Sequence, residues 1–104
     1  TEPNRKGRWL YPHAILAATR ILIDQKDYDR ALATLAKFDY RPPKKTRGPW
    51  EFLVQEAHGD IFVEQGEKDD ALAKYQDAVT IDTHQSYVDR VNKKIEALRN
   101  EEER

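Results

Sequence analysis

The sequence predicts an all-α protein built from stacked helical hairpins, and three observations point there. First, Ile21–Ala33 (ILIDQKDYDRALA) returns as Ile61–Ala73 (IFVEQGEKDDALA), so that Ala31 and Leu32 recur as Ala71 and Leu72, 40 residues on. Repeats of this period are the mark of solenoids, whose units bury their apolar faces against their neighbours. Second, apolar residues recur at three and four along most of the chain, and no run alternates as a strand would. Third, Pro and Gly fall at the ends of the periodic stretches rather than inside them.

Each element follows from these signals. Residues 1–11 are a basic and aromatic lead-in. Pro12 suits the first turn of a helix, where its missing N–H costs nothing. Ile15, Ala18 and Leu22, flanked by Leu16 and Ile23, carry that helix to about Lys26. Asp27 and Asp29 can cap a second helix, whose inner face is Ala31, Leu35 and Phe38. The span 12–40 is therefore the first repeat. Residues 41–48 (RPPKKTRG) form a loop, since Pro42 and Pro43 forbid helix. Pro49 opens the second repeat, 49–82, with Trp50, Leu53, Val54, Ala57, Ile61 and Phe62 on its first helix. Gly66 caps that helix, and the next one turns Ala71, Leu72, Tyr75, Ala78 and Val79 inward. Residues 84–104 form a closing helix with the narrow stripe Tyr87, Val91, Ile95 and Leu98. A stripe of that width covers the last hairpin of a stack and leaves a charged face to water.

Composition excludes several functions. The chain has 104 residues, 18 basic and 19 acidic, for a net charge of −1. That balance gives no argument for nucleic-acid binding or for adsorption to an anionic membrane. There is no Cys, hence no thiolate or disulfide chemistry, and no apolar run approaches the roughly 20 residues that cross a bilayer. There is also no Met, even at position 1, which reads as a processed or excised piece, with any upstream anchor or address removed with the rest. His13, His58 and His84 lack the i, i+4 spacing that pairs metal ligands, so no metal or cofactor is expected. Adjacent Asp69 and Asp70 point to different faces of a helix and cannot form a catalytic dyad; they suit the first turn, where the helix dipole favours carboxylates. No phosphate loop or nucleophile motif is present, and a non-enzymatic chain is expected.

The second repeat carries the tetratricopeptide pattern. Gly59 sits where two helices approach closely, Phe62 is the aromatic that follows, and Gly66 makes the turn. Ala71 is the small residue at the crossing, and Tyr75 and Ala78 follow four and seven positions later. In the first repeat Leu22, Ala31 and Pro43 fit, but Thr19 and Lys26 replace the glycines and Leu35 replaces the aromatic. The usual period is about 34 residues, so the 40 observed implies an insertion, which RPPKKTRG absorbs. A right-handed solenoid segment of two such repeats and a capping helix is the expected architecture.

Within that class the chain resembles the C-terminal part of the YfgM-like family, tetratricopeptide proteins associated with the bacterial Sec translocon. The residues that carry the resemblance are Trp50, Gly59-Asp60, Gln65 to Ala71, Lys74 to Ala78 and Lys94 to Leu98; His58 departs from the family's Arg. The resemblance implies a membrane-anchored protein whose soluble domain lies outside the cytoplasm, at the inner membrane facing the periplasm. It implies chaperone-type work beside translocon subunits and a membrane-anchored prolyl isomerase. A cytoplasmic regulatory module binding a transcription factor or nucleic acid, and a purely structural solenoid segment, are the alternatives.

The first helix of each hairpin lines the concave face of a tetratricopeptide stack. The projected groove is His13, Leu16, Arg20, Ile23 and Asp24 from the first repeat, and Leu53, Glu56, Asp60, Val63 and Glu64 from the second. Aliphatic and charged residues in this mixture suit a peptide or protein partner. Arg20 stands among the carboxylates Asp24, Glu56, Asp60 and Glu64, so an acidic C-terminal peptide is expected to be repelled. Arg41, Lys44, Lys45 and Arg47 form a basic loop that reads first as a solvated linker and second as a contact for anionic surfaces. Trp9, Leu10 and Tyr11 suggest an apolar N-terminal face that meets further repeats or a second copy.

Overall fold

The computed structural model describes residues 12–37, 48–81 and 83–103. The basic loop, Trp9, Leu10, Tyr11 and Phe38 lie outside them. The chain divides into two compact units, residues 1–47 and 48–104. The first holds α1 (Pro12–Asp24) and α2 (Tyr28–Leu35); the second holds α3 (Gly48–Glu64), α4 (Lys68–Val79) and α5 (Gln85–Glu103). The described residues are helical apart from short connections, with no strand among them.

The two hairpin turns are the same turn, bond for bond. Asp27 N–H donates to the Leu22 carbonyl at 2.9 Å and Glu67 N–H to the Phe62 carbonyl at 2.8 Å. One residue earlier, Lys26 N–H donates to Ile23 at 2.9 Å and Gly66 N–H to Val63 at 3.0 Å. This pair of bonds is the Schellman closure of a helix, and it needs a left-handed residue just past the end. Gly66 supplies it with φ 80°, and Lys26 is forced into it with φ 62°. After the turn, Asp27 caps α2 by accepting from Arg30 N–H at 3.4 Å, whereas Glu67 before α4 makes no side-chain cap.

Lys26 thus carries a backbone cost that Gly66 does not, about 1 kcal/mol for an L-residue in the left-handed region. Lys26→Gly is expected to stabilise the α1–α2 unit by up to about that amount, read as a raised urea midpoint at constant m-value. An unchanged or lowered midpoint would mean that the Lys side chain contributes something the backbone argument ignores.

In the first unit Thr19, Ala31 and Leu35 are buried. In the second unit Phe52, Ala71, Tyr75, Ala78, Val91, Ile95 and Leu98 form one core, with Leu53, Phe62, Leu72, Val79, Ile81, Tyr87 and Val88 packed against it. The stripe of the closing helix therefore lies in this core, as its spacing predicts. Phe52 is fully buried although the sequence stripe of α3 passes over it. It reaches across to Tyr87, ring centroids 5.7 Å apart, because α3 is covered on more than one side and its apolar residues fall in more than one stripe.

At Gly59 the Tyr75 ring of α4 lies against the α3 backbone and leaves no room for a side chain. A Cβ at Gly59 would lie 2.5 Å from Tyr75 Cε1 and 2.6 Å from its Cδ1, far inside van der Waals contact. In the first repeat the equivalent positions are Thr19 and Leu35, both buried. Where the large ring becomes Leu, the missing side chain becomes Thr, so volume is shifted from one helix to the other rather than lost. The Thr19 hydroxyl is satisfied by donating to the Ile15 carbonyl at 2.8 Å.

Candidate functional site

The polar centre of the second unit lies between α3 and α5. Glu56 accepts a forked pair of bonds from Arg90, from Nη2 at 2.6 Å and Nε at 2.9 Å. Lys94 Nζ donates to the same carboxylate at 2.7 Å and to Asp60 Oδ1 at 3.0 Å. The Tyr75 hydroxyl donates to Asp60 from α4. Arg90 also lies over the Tyr87 ring, 5.0 Å from its centroid, and the Tyr87 ring meets His84 edge-on at 5.5 Å. The paired carboxylate raises the Arg90 pKa above its ordinary value, chiefly through the hydrogen bonds to Glu56, so the guanidinium is charged throughout the working range.

Two carboxylates at i, i+4 on α3 thus face two cations at i, i+4 on α5, and the sequence separation of each matched pair is 34. That separation equals the tetratricopeptide period. The closing helix consequently occupies the place of the first helix of a third repeat. Its residues at the places of Gln55, Gly59 and Phe62 are Asp89, Lys93 and Glu96, all exposed. Where α3 meets α4 through Gly59 and Phe62, α5 thus carries charged, exposed side chains.

A family model described as a tetratricopeptide repeat-like domain matches residues 10–100. The chain belongs to that family. Tetratricopeptide repeat-like domains as a class bind proteins or peptides on a rigid helical surface. No curated protein and no solved structure matches the chain.

Each projected groove residue of this tetratricopeptide repeat-like protein can be placed on its own unit. On α1, His13, Arg20 and Asp24 are exposed, and Leu16 and Ile23 are half-buried. On α3, Val63 and Glu64 are exposed. Three residues correct the projection. Leu53 is half-buried and packs against the core of the second unit. The Glu56 side chain is only 2% exposed, and Asp60 is held by Lys94 and Tyr75. The cause is the closing helix, which brings Arg90 and Lys94 over both carboxylates. Their side chains remain 45% and 33% exposed, so the outer charges of this seam are cations. The expected repulsion of acidic peptides therefore does not follow for the second unit. The groove projection gives no place to Arg90 or to Lys94, which the sequence marks only as the start of its Lys94 to Leu98 run, yet a signal for both exists: a basic pair spaced as Glu56 and Asp60 are, one period later.

The structural positions fall as described above: Gly59 under the Tyr75 ring, Gly66 in the turn, Ala71, Tyr75 and Ala78 in the core, and Phe62 packed against it. Arg41, Lys44, Lys45 and Arg47 lie outside the described residues. Among the described residues no group of His, Cys, Asp or Glu could hold a metal ion, and no helix is long and apolar enough to cross a membrane. His58 Nδ1 lies 3.2 Å from the Val54 carbonyl, and burial, with the nearby Lys74 charge, lowers its pKa. It is therefore a neutral ring donating to its own helix at neutral pH, a structural role.

Proposed function

We propose that this domain is a non-enzymatic interaction scaffold that presents the α3–α5 face of its second unit to a protein or peptide. The observation that carries the reading is the Glu56–Arg90–Lys94–Asp60 network. It fixes two neighbouring first helices in repeat register and leaves Val63, Tyr87, Arg90 and Lys94 at the surface between and beside them. A preorganised face binds without the entropy cost of ordering itself. The mixed aliphatic, aromatic and cationic surface fits an extended or helical peptide better than a small substrate.

The finer reading is the soluble, extracytoplasmic part of a membrane-anchored accessory factor at the bacterial Sec translocon, facing the periplasm. Its partners would be translocon subunits and a membrane-anchored prolyl isomerase. Support comes from the motif resemblance, and two of its pieces meet in space: Asp60 of the Gly-Asp step is the partner of Lys94, which begins the terminal Lys-Ile-x-x-Leu run.

The test is affinity capture by the domain from detergent-solubilised membranes of the source cell, with Val63→Glu as control. Val63 is chosen because it is exposed, whereas a charge at Leu53 would enter the core. Translocon or membrane-chaperone subunits recovered by the native domain and lost in the variant would support both readings. Recovery of a soluble transcription factor would keep the scaffold and discard the envelope. Identical recovery by domain and variant would remove this face from the argument.

A further inference from the structure

Charge in the Glu56 network is sorted by depth. The carboxylates of Glu56 and Asp60 lie beneath, 2% and 13% exposed, and the cations Arg90 and Lys94 lie above them, 45% and 33% exposed. The four formal charges cancel, but not at the surface. A group arriving from solvent meets the cations first, and the buried carboxylates act on it from farther away. Hydrogen-bonding capacity is sorted in the same way. Arg90 uses Nε and Nη2 on Glu56, and Lys94 bonds to Glu56 and Asp60. A guanidinium has five N–H donors and an ammonium three, so both cations keep donors in hand. Among the described residues Arg90 Nη1 has no acceptor. These donors are also held still, by the fork to Glu56 and by the Tyr87 ring 5.0 Å from the guanidinium.

We propose that Arg90 and Lys94 receive two carboxylate side chains from an internal acidic stretch of the partner. The proposal rests on the scaffold reading above and adds the partner's chemistry. Arg90 and Lys94 stand one turn apart, about 6 Å along α5. Carboxylates at i, i+2 of an extended chain or at i, i+4 of a helix have a similar spacing. The flanks set the direction. Val63 and Ala97 are both exposed and are separated by 34 residues, as Glu56 and Arg90 are, so an aliphatic pair lies just beyond Lys94. Past that pair the surface turns acidic: Glu64 is exposed, and Glu101 is tied to Lys68. The partner therefore places one aliphatic residue on Val63 and Ala97 and carries its acids on the Tyr87 side of it. Asp89, Lys93 and Glu96 lie on a different face of α5 and do not line this seam.

The test uses the whole chain and short labelled peptides, acetylated and amidated so that no terminal carboxylate is present. Each carries one Leu followed by two Glu, at the strand or the helix spacing, and its counterparts carry Gln or Lys in place of Glu. Affinity is read by fluorescence anisotropy. A Glu peptide of one spacing is expected to bind about tenfold more tightly than its Gln counterpart, the Lys peptide to bind most weakly, and added salt to narrow the gap. Glu56→Met with Arg90→Met removes one charge of each sign, so the network stays neutral while the outer cation is lost. This double variant is expected to erase most of the preference, and Lys94→Gln to reduce it. Equal affinity of Glu and Gln peptides for the native chain overturns the proposal without recourse to any variant. If Val63→Glu then weakens both peptides, the face still binds peptide and the scaffold reading survives alone. Binding of none of the peptides also overturns the proposal and leaves the scaffold reading to the membrane capture. A Gln peptide with a free C-terminal carboxylate that binds as tightly as the Glu peptide overturns it in favour of a chain end. A preference unchanged in both the double variant and Lys94→Gln overturns it by placing the acid elsewhere.

Discussion

Gly59→Thr is expected to destabilise the second unit by about 3 kcal/mol, and Tyr75→Leu in the same molecule to restore much of the loss. The single substitution drives a Cβ to 2.5 Å from the Tyr75 ring. That ring cannot swing away cheaply, because it is buried in the core and its hydroxyl is tied to Asp60. Tyr75→Leu alone removes ring atoms and leaves a partly collapsed space, at about 2 kcal/mol. Together the two changes copy the Thr19 and Leu35 pair of the first repeat, where both side chains are buried. The new hydroxyl would return to the carbonyl of Gln55, as Thr19 returns to Ile15. Asp60 would lose the phenol but keep Lys94. Urea unfolding of the four proteins gives the coupling directly, and a favourable term of about 1–3 kcal/mol is expected. Strict additivity would show that the first repeat's Thr and Leu are unrelated substitutions rather than one exchange of volume.

That pair also shows what the sequence could and could not convey. The repeat, the helix start at Pro12, the turn at Gly66 and the core stripe of α5 were legible, because each rests on a simple signal: a spacing, a Pro, a Gly. The apparent degeneracy of the first repeat was legible only as missing glycines. Lys26 keeps the turn with the same left-handed backbone, and Thr19 with Leu35 keeps the packing by exchanging size. The candidate face was harder. Projection onto an ideal hairpin counted Glu56 as an open carboxylate, since nothing local reveals that α5 lies over it. Tertiary charge pairing is legible only when two helices are compared at the period of 34 that separates Arg90 from Glu56. Phe52 was missed for a related reason: a helix covered on more than one side has no single apolar stripe to read.

Arg90→Met is expected to cost more than removing its carboxylate partner, and the double substitution less than Arg90→Met alone. The asymmetry comes from burial. Glu56 is 2% exposed while Arg90 is 45% exposed, so each loses something different when the other is gone. Without Arg90, Glu56 keeps only Lys94 and stays beneath α5 with one oxygen stripped of its partner. Breaking such a pair from the exposed side costs about 2–3 kcal/mol, below the full penalty for an uncompensated buried charge because Lys94 remains. Without Glu56, Arg90 still reaches water and the Tyr87 ring, and Lys94 still holds Asp60. Glu56→Met should therefore cost about 1 kcal/mol or less, since an apolar side chain fills the vacated space. With both changed, two stems of similar length meet at the seam and no buried charge is stranded, so stability should recover toward the native value. Exposed pairs such as Lys68–Glu101, at 3.2 Å, make no comparable contribution and serve as the control. Exchange of α5 amides localises the effect, because loosening this helix exposes Phe52 and Val91 before the rest of the unit opens. If Glu56→Met proved as costly as Arg90→Met, the network would be holding α5 by attraction from both sides, and the face it presents would depend on salt in a way that burial alone does not predict.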